Sequence, residues 1–299
     1  MFASRRNSSN LQDTVTVVAF VASAIFATML WAQTHDTLAA VVAFPDTATF
    51  LAQVAEHQKK VEALLCQYTF TDKTTDYVLD KDGHVRNQHT DTYYVTPTVY
   101  EFFSLHISHD GKPVSQENLE RQMKKIEQRM KEDERKAQRH ETIHPKDQMV
   151  LADVITRSDF TPIRWEQTDG LKTIVYTFES KAANRSKGDL AERITGDLKG
   201  TMWISPEQKQ VVRVEFASVS PITLGLLGTV KGFQGVAEQR EMHGEFWGPT
   251  RQEYVANGRE LLKGFRIRAV SEFSDYLKAT TDVFQKIHSG SASTSALSE

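Results

Sequence analysis

The alternation of apolar and polar residues along the chain predicts mainly β-strands. In Val211–Phe216, the residues Val212, Val214 and Phe216 share one face of a strand, while charged residues take the other. Further strands are predicted at Tyr68–Thr71, Thr75–Leu79, His84–Gln88, Asp91–Val95, Val99–Ile107, Pro162–Gln167, Leu171–Glu179, Gly200–Ile204, Val236–Met242, Glu245–Ala256, Arg259–Ala269 and Val270–Tyr276. This pattern is typical of an antiparallel meander with one apolar face.

Short turns that contain glycine separate these strands. Asn257-Gly258 is the strongest hairpin signal, because a type I′ turn needs positive φ at both central residues. The other glycine turns are predicted at Asp80–Gly83, Asp110-Gly111, Asp169-Gly170 and His243-Gly244. The turns therefore predict that neighbouring strands pair as hairpins.

Three helices are predicted before and between the strands. The first begins at Pro45-Asp46-Thr47, where Asp or Thr can accept from free backbone N–H groups, and ends near Cys66. Ser115–Glu141 has a thin apolar stripe and dense mixed charge, which favours a solvated helix face over a binding arm. A shorter helix follows from Pro145 to about Thr156, and its apolar face includes Leu151, Val154 and Ile155.

The N-terminus has the pattern of a secretory signal. Arg5 and Arg6 precede the apolar, uncharged run Thr14–Ala32, which predicts a signal peptide over residues 1–32 with cleavage near Ala32. An uncleaved membrane anchor is the alternative, because the run can just span a bilayer. Either interpretation places the body outside the cytoplasm, in the periplasm or an equivalent compartment. Membrane contact, on this view, is made through the N-terminus.

The rest of the chain is predicted to form one domain at residues 45–284. The helical segment 115–156 is inserted into it, and the polar tail 285–299 is predicted to be disordered. The net charge of −3 argues against nucleic acid as a partner. Cys66 is the single cysteine, so no intramolecular disulfide can form, and we expect a buried core thiol rather than a nucleophile.

One stretch matches a zinc-protease motif. His140-Glu141-Thr142-Ile143-His144 has the H-E-x-x-H spacing that puts two imidazoles on one helical face. Pro145 biases His144 away from helical backbone, and no third ligand follows at the usual spacing, since Glu166 falls on a predicted strand. No nucleophile elbow, P-loop or dinucleotide fingerprint occurs. We therefore predict no catalytic residue, no metal and no cofactor, and no enzymatic activity.

An apolar, uncharged loop at Pro221–Val230 joins two strands. It can cover one end of the core, or it can form a mobile rim for an apolar ligand. A curved sheet with too few helices to cover its concave face leaves a groove lined by apolar strand faces. Such a groove accepts acyl chains without any catalytic group.

The strand motifs of Leu198–Tyr276 resemble those of the LolA/LolB-like lipoprotein-carrier superfamily, of the outer-membrane lipoprotein-sorting type. The motifs are Gly-Thr-Met-Trp-Ile-Ser, Val-Val-Arg-Val-Glu-Phe, Phe-Trp-Gly-Pro-Thr-Arg, Phe-Arg-Ile-Arg and Phe-Ser-Asp-Tyr. The order of elements over residues 45–280 is similar too. The resemblance implies an α+β, mainly β fold: an incomplete, half-open antiparallel β-barrel with an N-terminal helix, a helical lid and a hydrophobic cavity.

The leading prediction is a non-enzymatic, extracytoplasmic binder or carrier of a lipid, acyl chain or lipoprotein in the bacterial cell envelope. Its partner is a hydrophobic ligand or the acyl chains of a lipoprotein. The alternatives are a structural or signalling module that binds an envelope protein and, ranked lower, a zinc hydrolase that uses His140, Glu141 and His144. The predicted cavity and lid residues are Val212, Val214, Phe216, Leu151, Val154 and Ile155.

Overall fold

The computed structural model describes residues 43–97, 102–139, 151–181, 196–223, 228–260 and 263–279. Three helices lie within these ranges: α1 Thr47–Leu65, α2 Gln116–Gln138 and α3 Leu151–Arg157. The strands are β1 Tyr68–Leu79, β2 Val85–Pro97, β3 Phe102–His109, β4 Lys112–Pro113, β5 Ser158–Thr168, β6 Leu171–Ser180, β7 Leu198–Ser205, β8 Gln210–Ser218, β9 Ile222–Thr223, β10 Gly228–Met242, β11 Phe246–Glu260 and β12 Lys263–Lys278. The predicted signal peptide and tail lie outside the described residues.

All twelve strands belong to one antiparallel sheet in the order β4-β3-β2-β1-β12-β11-β10-β8-β7-β6-β5, and β9 pairs with β10 off this path. The described parts of β4 and β5 do not pair with each other, so the sheet is not closed into a barrel. The predicted fold class, mainly β with a half-open antiparallel sheet and few helices, is confirmed.

Helix α1 begins where the sequence predicts. The Asp46 carboxylate caps it by accepting a hydrogen bond from the Thr49 backbone N–H at 2.9 Å. Phe50, Val54 and Val61 recur at helical spacing and are buried, so this face of α1 packs against the sheet. The helix ends at Leu65, next to the predicted boundary at Cys66.

Three of the predicted two-residue turns are confirmed. Asp110-Gly111, Asp169-Gly170 and His243-Gly244 each have positive φ at both residues, as a type I′ turn requires. The prediction of a turn at Asn257-Gly258 is wrong, because both residues lie within β11. Gly258 is there for a different reason: a Cβ on it would lie 2.2 Å from the Thr229 carbonyl oxygen of β10.

Helix α2 lies beside the part of β3 that the two-residue strand β4 does not reach, and it partly satisfies the unpaired backbone there. The Gln122 Oε1 accepts from the His106 N–H at 2.9 Å, and Gln122 Nε2 donates to the His106 carbonyl at 3.2 Å. One side-chain amide thus takes the place of a neighbouring strand. Exposed edges invite pairing with other chains, so this contact protects the edge.

Candidate functional site

The apolar face of the sheet is covered by α1 and α3. The largest buried cluster consists of Phe50, Leu51, Val54, Ala55, Val154, Ile155, Ile174, Tyr176, Phe178, Leu198, Met202, Ile204, Val211, Val214 and Phe216. It joins both helices to strands β6, β7 and β8, and Leu151 packs against it while half-buried. The helices therefore shield an apolar surface that an open sheet would otherwise leave in water.

The structure brings five of the six predicted cavity and lid residues into this one cluster: Val214, Phe216, Val154 and Ile155 are members and Leu151 packs on its rim. Val212 lies in a smaller neighbouring cluster with Val61 of α1 and Trp247 of β11. The register between β7 and β8 shifts next to Ile204, where Val211 is its partner. That irregularity explains why Val211 and Val212 are both buried. The ligand-binding role of these six residues stays a prediction.

A carboxyl group that the sequence analysis missed lies between α1 and α3. Partial burial raises the pKa of Glu62 to about 7, and the nearby Asp153 carboxylate acts in the same direction. Hydrogen bonds from the backbone of Ala152 and Leu151 oppose this shift, as does the ammonium group of Lys59. The protonation state of Glu62 on α1 therefore affects its contacts with the start of α3. The sequence gives one sign that Glu62 lies close to the core, which is its position next to the apolar and buried Val61.

The shift of Glu62 predicts a pH dependence of stability. Because the folded-state pKa lies above the ordinary value of 4.5, the folded protein holds a proton that the unfolded chain has lost. We expect the free energy of unfolding to fall by about 1–2 kcal/mol as pH rises from 5 to 8, allowing for solvent screening. Urea unfolding at several pH values measures this.

Glu62→Gln provides the control for the pH prediction. The amide does not titrate, so the decrease between pH 5 and 8 should largely disappear in this variant. An equal slope in the parent protein and in Glu62→Gln would show that another group is responsible.

The opposite face of the sheet is polar. Arg213 contacts the carboxylates of Glu215 and Glu238, and Arg251 and Arg268 both contact that of Glu253. A groove of ≈ 790 Å³ crosses six strands on this face, and Lys199, Thr201, Val236 and Val255 contribute to its lining. These ion pairs are partly exposed to solvent, so each stabilises the fold only slightly.

A second polar cluster lies at the other half of the sheet, on strands β1, β2 and β3. Asp76 is opposite His89, and Asp91 is opposite His109. Burial raises the pKa of the Asp91 carboxyl, but the hydrogen bond from His109 and the neighbouring His106 and His109 rings outweigh it, and the net pKa is lowered. The hydrogen bond to Asp91 raises the pKa of His109. No motif in the sequence marks this cluster.

No protein-family model matches the chain, and no curated protein matches it in sequence. Solved structures do match. An outer membrane lipoprotein-sorting protein domain from Vibrio parahaemolyticus has 8% identity and a TM-score of 0.35, over 80% of this chain and 98% of that one. A DUF1329 family protein from Desulfovibrio piger has 10% identity and a TM-score of 0.32, over 79% and 95%.

A LolA superfamily protein from Nitrosomonas europaea also matches, with 13% identity, a TM-score of 0.30 and coverage of 78% of this chain and 95% of that one. The name of this match is that of the superfamily that the strand motifs resemble. Likenesses of this degree concern the layout of strands and helices.

Of two further predictions, one falls outside the described residues and the other is wrong. The H-E-x-x-H motif at 140–144 lies outside the described residues. Cys66 was expected in the core, and this is wrong: it is exposed just past the C-terminal end of α1. Partial desolvation and the Glu62 carboxylate raise the pKa of Cys66, which disfavours the reactive thiolate. No helix of the described ranges is both long and apolar enough to cross a bilayer.

Proposed function

We propose that this protein is an extracytoplasmic, non-enzymatic binder or carrier of a lipid, an acyl chain or a lipoprotein. The observation that carries the proposal is the helical cover on the apolar face of a sheet that is not closed. An acyl chain needs an apolar surface of this kind and no catalytic group. The ligand would occupy the surface between the cover and the strands that bear Val212, Val214 and Phe216.

Helix α3 is suited to act as the movable part of the cover. The described part of α3 packs against α1 and, to a smaller extent, β5, and it depends on these contacts for its stability. Displacing it exposes Leu151, Val154 and Ile155, and each fully exposed side chain costs about 1.5–3 kcal/mol. The open state is therefore rare without a ligand, and a bound chain shifts the balance by replacing those contacts.

Leu151→Ser tests the proposal. The change weakens the closed cover, so a larger fraction of molecules can accept a ligand. We expect a hydrophobic fluorescent dye to bind about tenfold more tightly, since about 1.4 kcal/mol corresponds to a factor of ten. Titration of the dye into the full-length protein measures this, with circular dichroism to verify folding.

Ile163→Ser is the matched control. Ile163 lies on β5 with 47% of its surface exposed, outside the cluster that α3 covers, so dye affinity should not change. A parent protein that binds no dye, or equal affinities in the parent and Leu151→Ser, contradicts the lipid proposal.

A protein-binding module is the second candidate function. The mixed charges along the ≈ 790 Å³ groove on the opposite face favour it, because such surfaces suit a polar partner segment better than an acyl chain. Native mass spectrometry of the purified protein separates the two. Bound lipid supports the carrier, and a stoichiometric protein partner without lipid supports the module.

A further inference from the structure

Five metal-ligating side chains converge on one face of three adjacent strands. Asp76 comes from β1, His89 and Asp91 from β2, and His106 and His109 from β3. His106 and His109 are three residues apart, which in a regular strand would put them on opposite faces. The β2–β3 register shifts between Thr92 and Tyr93, and this irregularity brings both rings to the same face.

The ligand atoms form two overlapping groups, each compact enough to hold one ion. Asp91 Oδ1 lies 2.7 Å from His109 Nδ1 and 2.8 Å from His106 Nε2. On the other side of the same carboxylate, His89 Nε2 lies 3.6 Å from Asp91 Oδ2 and 3.5 Å from Asp76 Oδ2. Asp91, His106 and His109 form one group whose ligand atoms all lie within 4.8 Å of one another, and Asp76, His89 and Asp91 form a second.

We infer that Asp91, His106 and His109 form a binding site for a divalent transition-metal ion such as Zn²⁺, with His89 and Asp76 adjoining it. Two imidazoles and one carboxylate are a common ligand set for such ions. With Zn–N and Zn–O lengths of about 2.0–2.1 Å, tetrahedral ligands lie about 3.3 Å apart. The Asp91 oxygen therefore has to separate from the two rings by only about 0.5 Å.

The surroundings of the three ligands support this assignment. Gln122 of α2 holds the His106 backbone through two hydrogen bonds, and the Tyr93 ring lies 5.1 Å from the His106 ring. The Asp110 carboxylate lies 3.6 Å from His109 Nε2, the ring nitrogen that does not face Asp91. His106 Nε2 donates a hydrogen bond to the Ser108 carbonyl at 2.8 Å, and this nitrogen has to release its proton when it binds an ion.

The exposure of the ligands leaves room for a solvent ligand. The Asp91 side chain is 13% exposed and that of His109 is 56% exposed. The carboxylate thus forms the base of the site, and the side toward His109 is open to water. An ion here would link β2 and β3 at a distance from the cover formed by α1 and α3.

Competition with a chromophoric chelator tests the inference on the full-length chain with zinc chloride. We expect one Zn²⁺ per chain, and an affinity at least about 100-fold weaker in His109→Gln and His106→Gln. His109 is largely exposed, so His109→Gln should fold normally, which circular dichroism verifies. A parent protein that binds no zinc at micromolar concentrations, or ligand variants with the parent affinity, would overturn the inference.

Two controls locate the ion. His243→Asn removes an imidazole from an exposed turn with φ of 54°, a conformation that asparagine tolerates, and should leave zinc binding unchanged. His140→Ala combined with His144→Ala should leave it unchanged as well. Loss of binding in that double variant would place the ion at the H-E-x-x-H motif and contradict the site proposed here.

Discussion

Replacing Gly200 by alanine is expected to destabilise the protein by more than about 3 kcal/mol or to prevent folding. A Cβ at this position would lie 1.9 Å from the Glu215 carbonyl oxygen and 2.9 Å from the Phe216 Cα. Both neighbours belong to the backbone of β8, so no side-chain rotation relieves the clash and the two strands have to separate. Overpacking of this kind commonly costs 1–3 kcal/mol even where side chains can adjust.

Gly264→Ala is the matched control on β12. Its added Cβ would meet only the Gly258 carbonyl oxygen at 3.8 Å, an ordinary contact, so we expect the free energy of unfolding to change by less than about 0.5 kcal/mol. Urea denaturation of both variants measures the difference. Similar stabilities for the two would mean that β7 and β8 do not approach each other as closely as described.

Val214→Lys is expected to cost several kcal/mol and to abolish dye binding. Val214 is only 2% exposed, within the cluster covered by α1 and α3. An unpaired ammonium group there loses its hydration without gaining a partner. The same substitution at Val236 on the neighbouring strand should be tolerated, because its register partners are Glu215 and Glu253 on the polar face.

Thermal unfolding and dye titration of Val214→Lys and Val236→Lys compare the two faces of the sheet directly. We expect Val236→Lys to stay within about 0.5 kcal/mol of the parent protein and to bind the dye normally. Equal losses in both variants would contradict the assignment of the apolar and polar faces.

Much of the fold was predictable because local rules decide it. Alternation placed Val212, Val214 and Phe216 on the helix-covered face, and positive-φ turns such as His243-Gly244 fixed the hairpins. Asn257-Gly258 failed because tertiary contact overrode the turn preference. Gly258 is needed where β10 approaches β11, and Phe265 of the paired strand packs over it.

The histidine cluster was harder to predict for a physical reason. His89 and Asp91 alternate, so the sequence puts them on one face of β2. Next to the Asp80–Gly83 turn Leu79 pairs with Val85, and only the register shift between Val78 and Leu79 brings Asp76 opposite His89. His106 and His109 join the cluster only through an irregularity in β3, which no residue pattern predicts. Glu62 was missed for a similar reason, since its low exposure depends on where α3 packs.

The position of β12 has a consequence for how the protein is made. β1 pairs with β12, so Tyr68 meets Lys278, and among the described strands β1 to β4 join the rest of the sheet only through β12. The ribosome must therefore synthesise nearly the whole domain before the two halves can connect. Pairings between residues so distant in sequence form slowly, and unpaired strand edges are prone to aggregate meanwhile. A growing chain of this protein thus has long exposed edges until its final strand is complete.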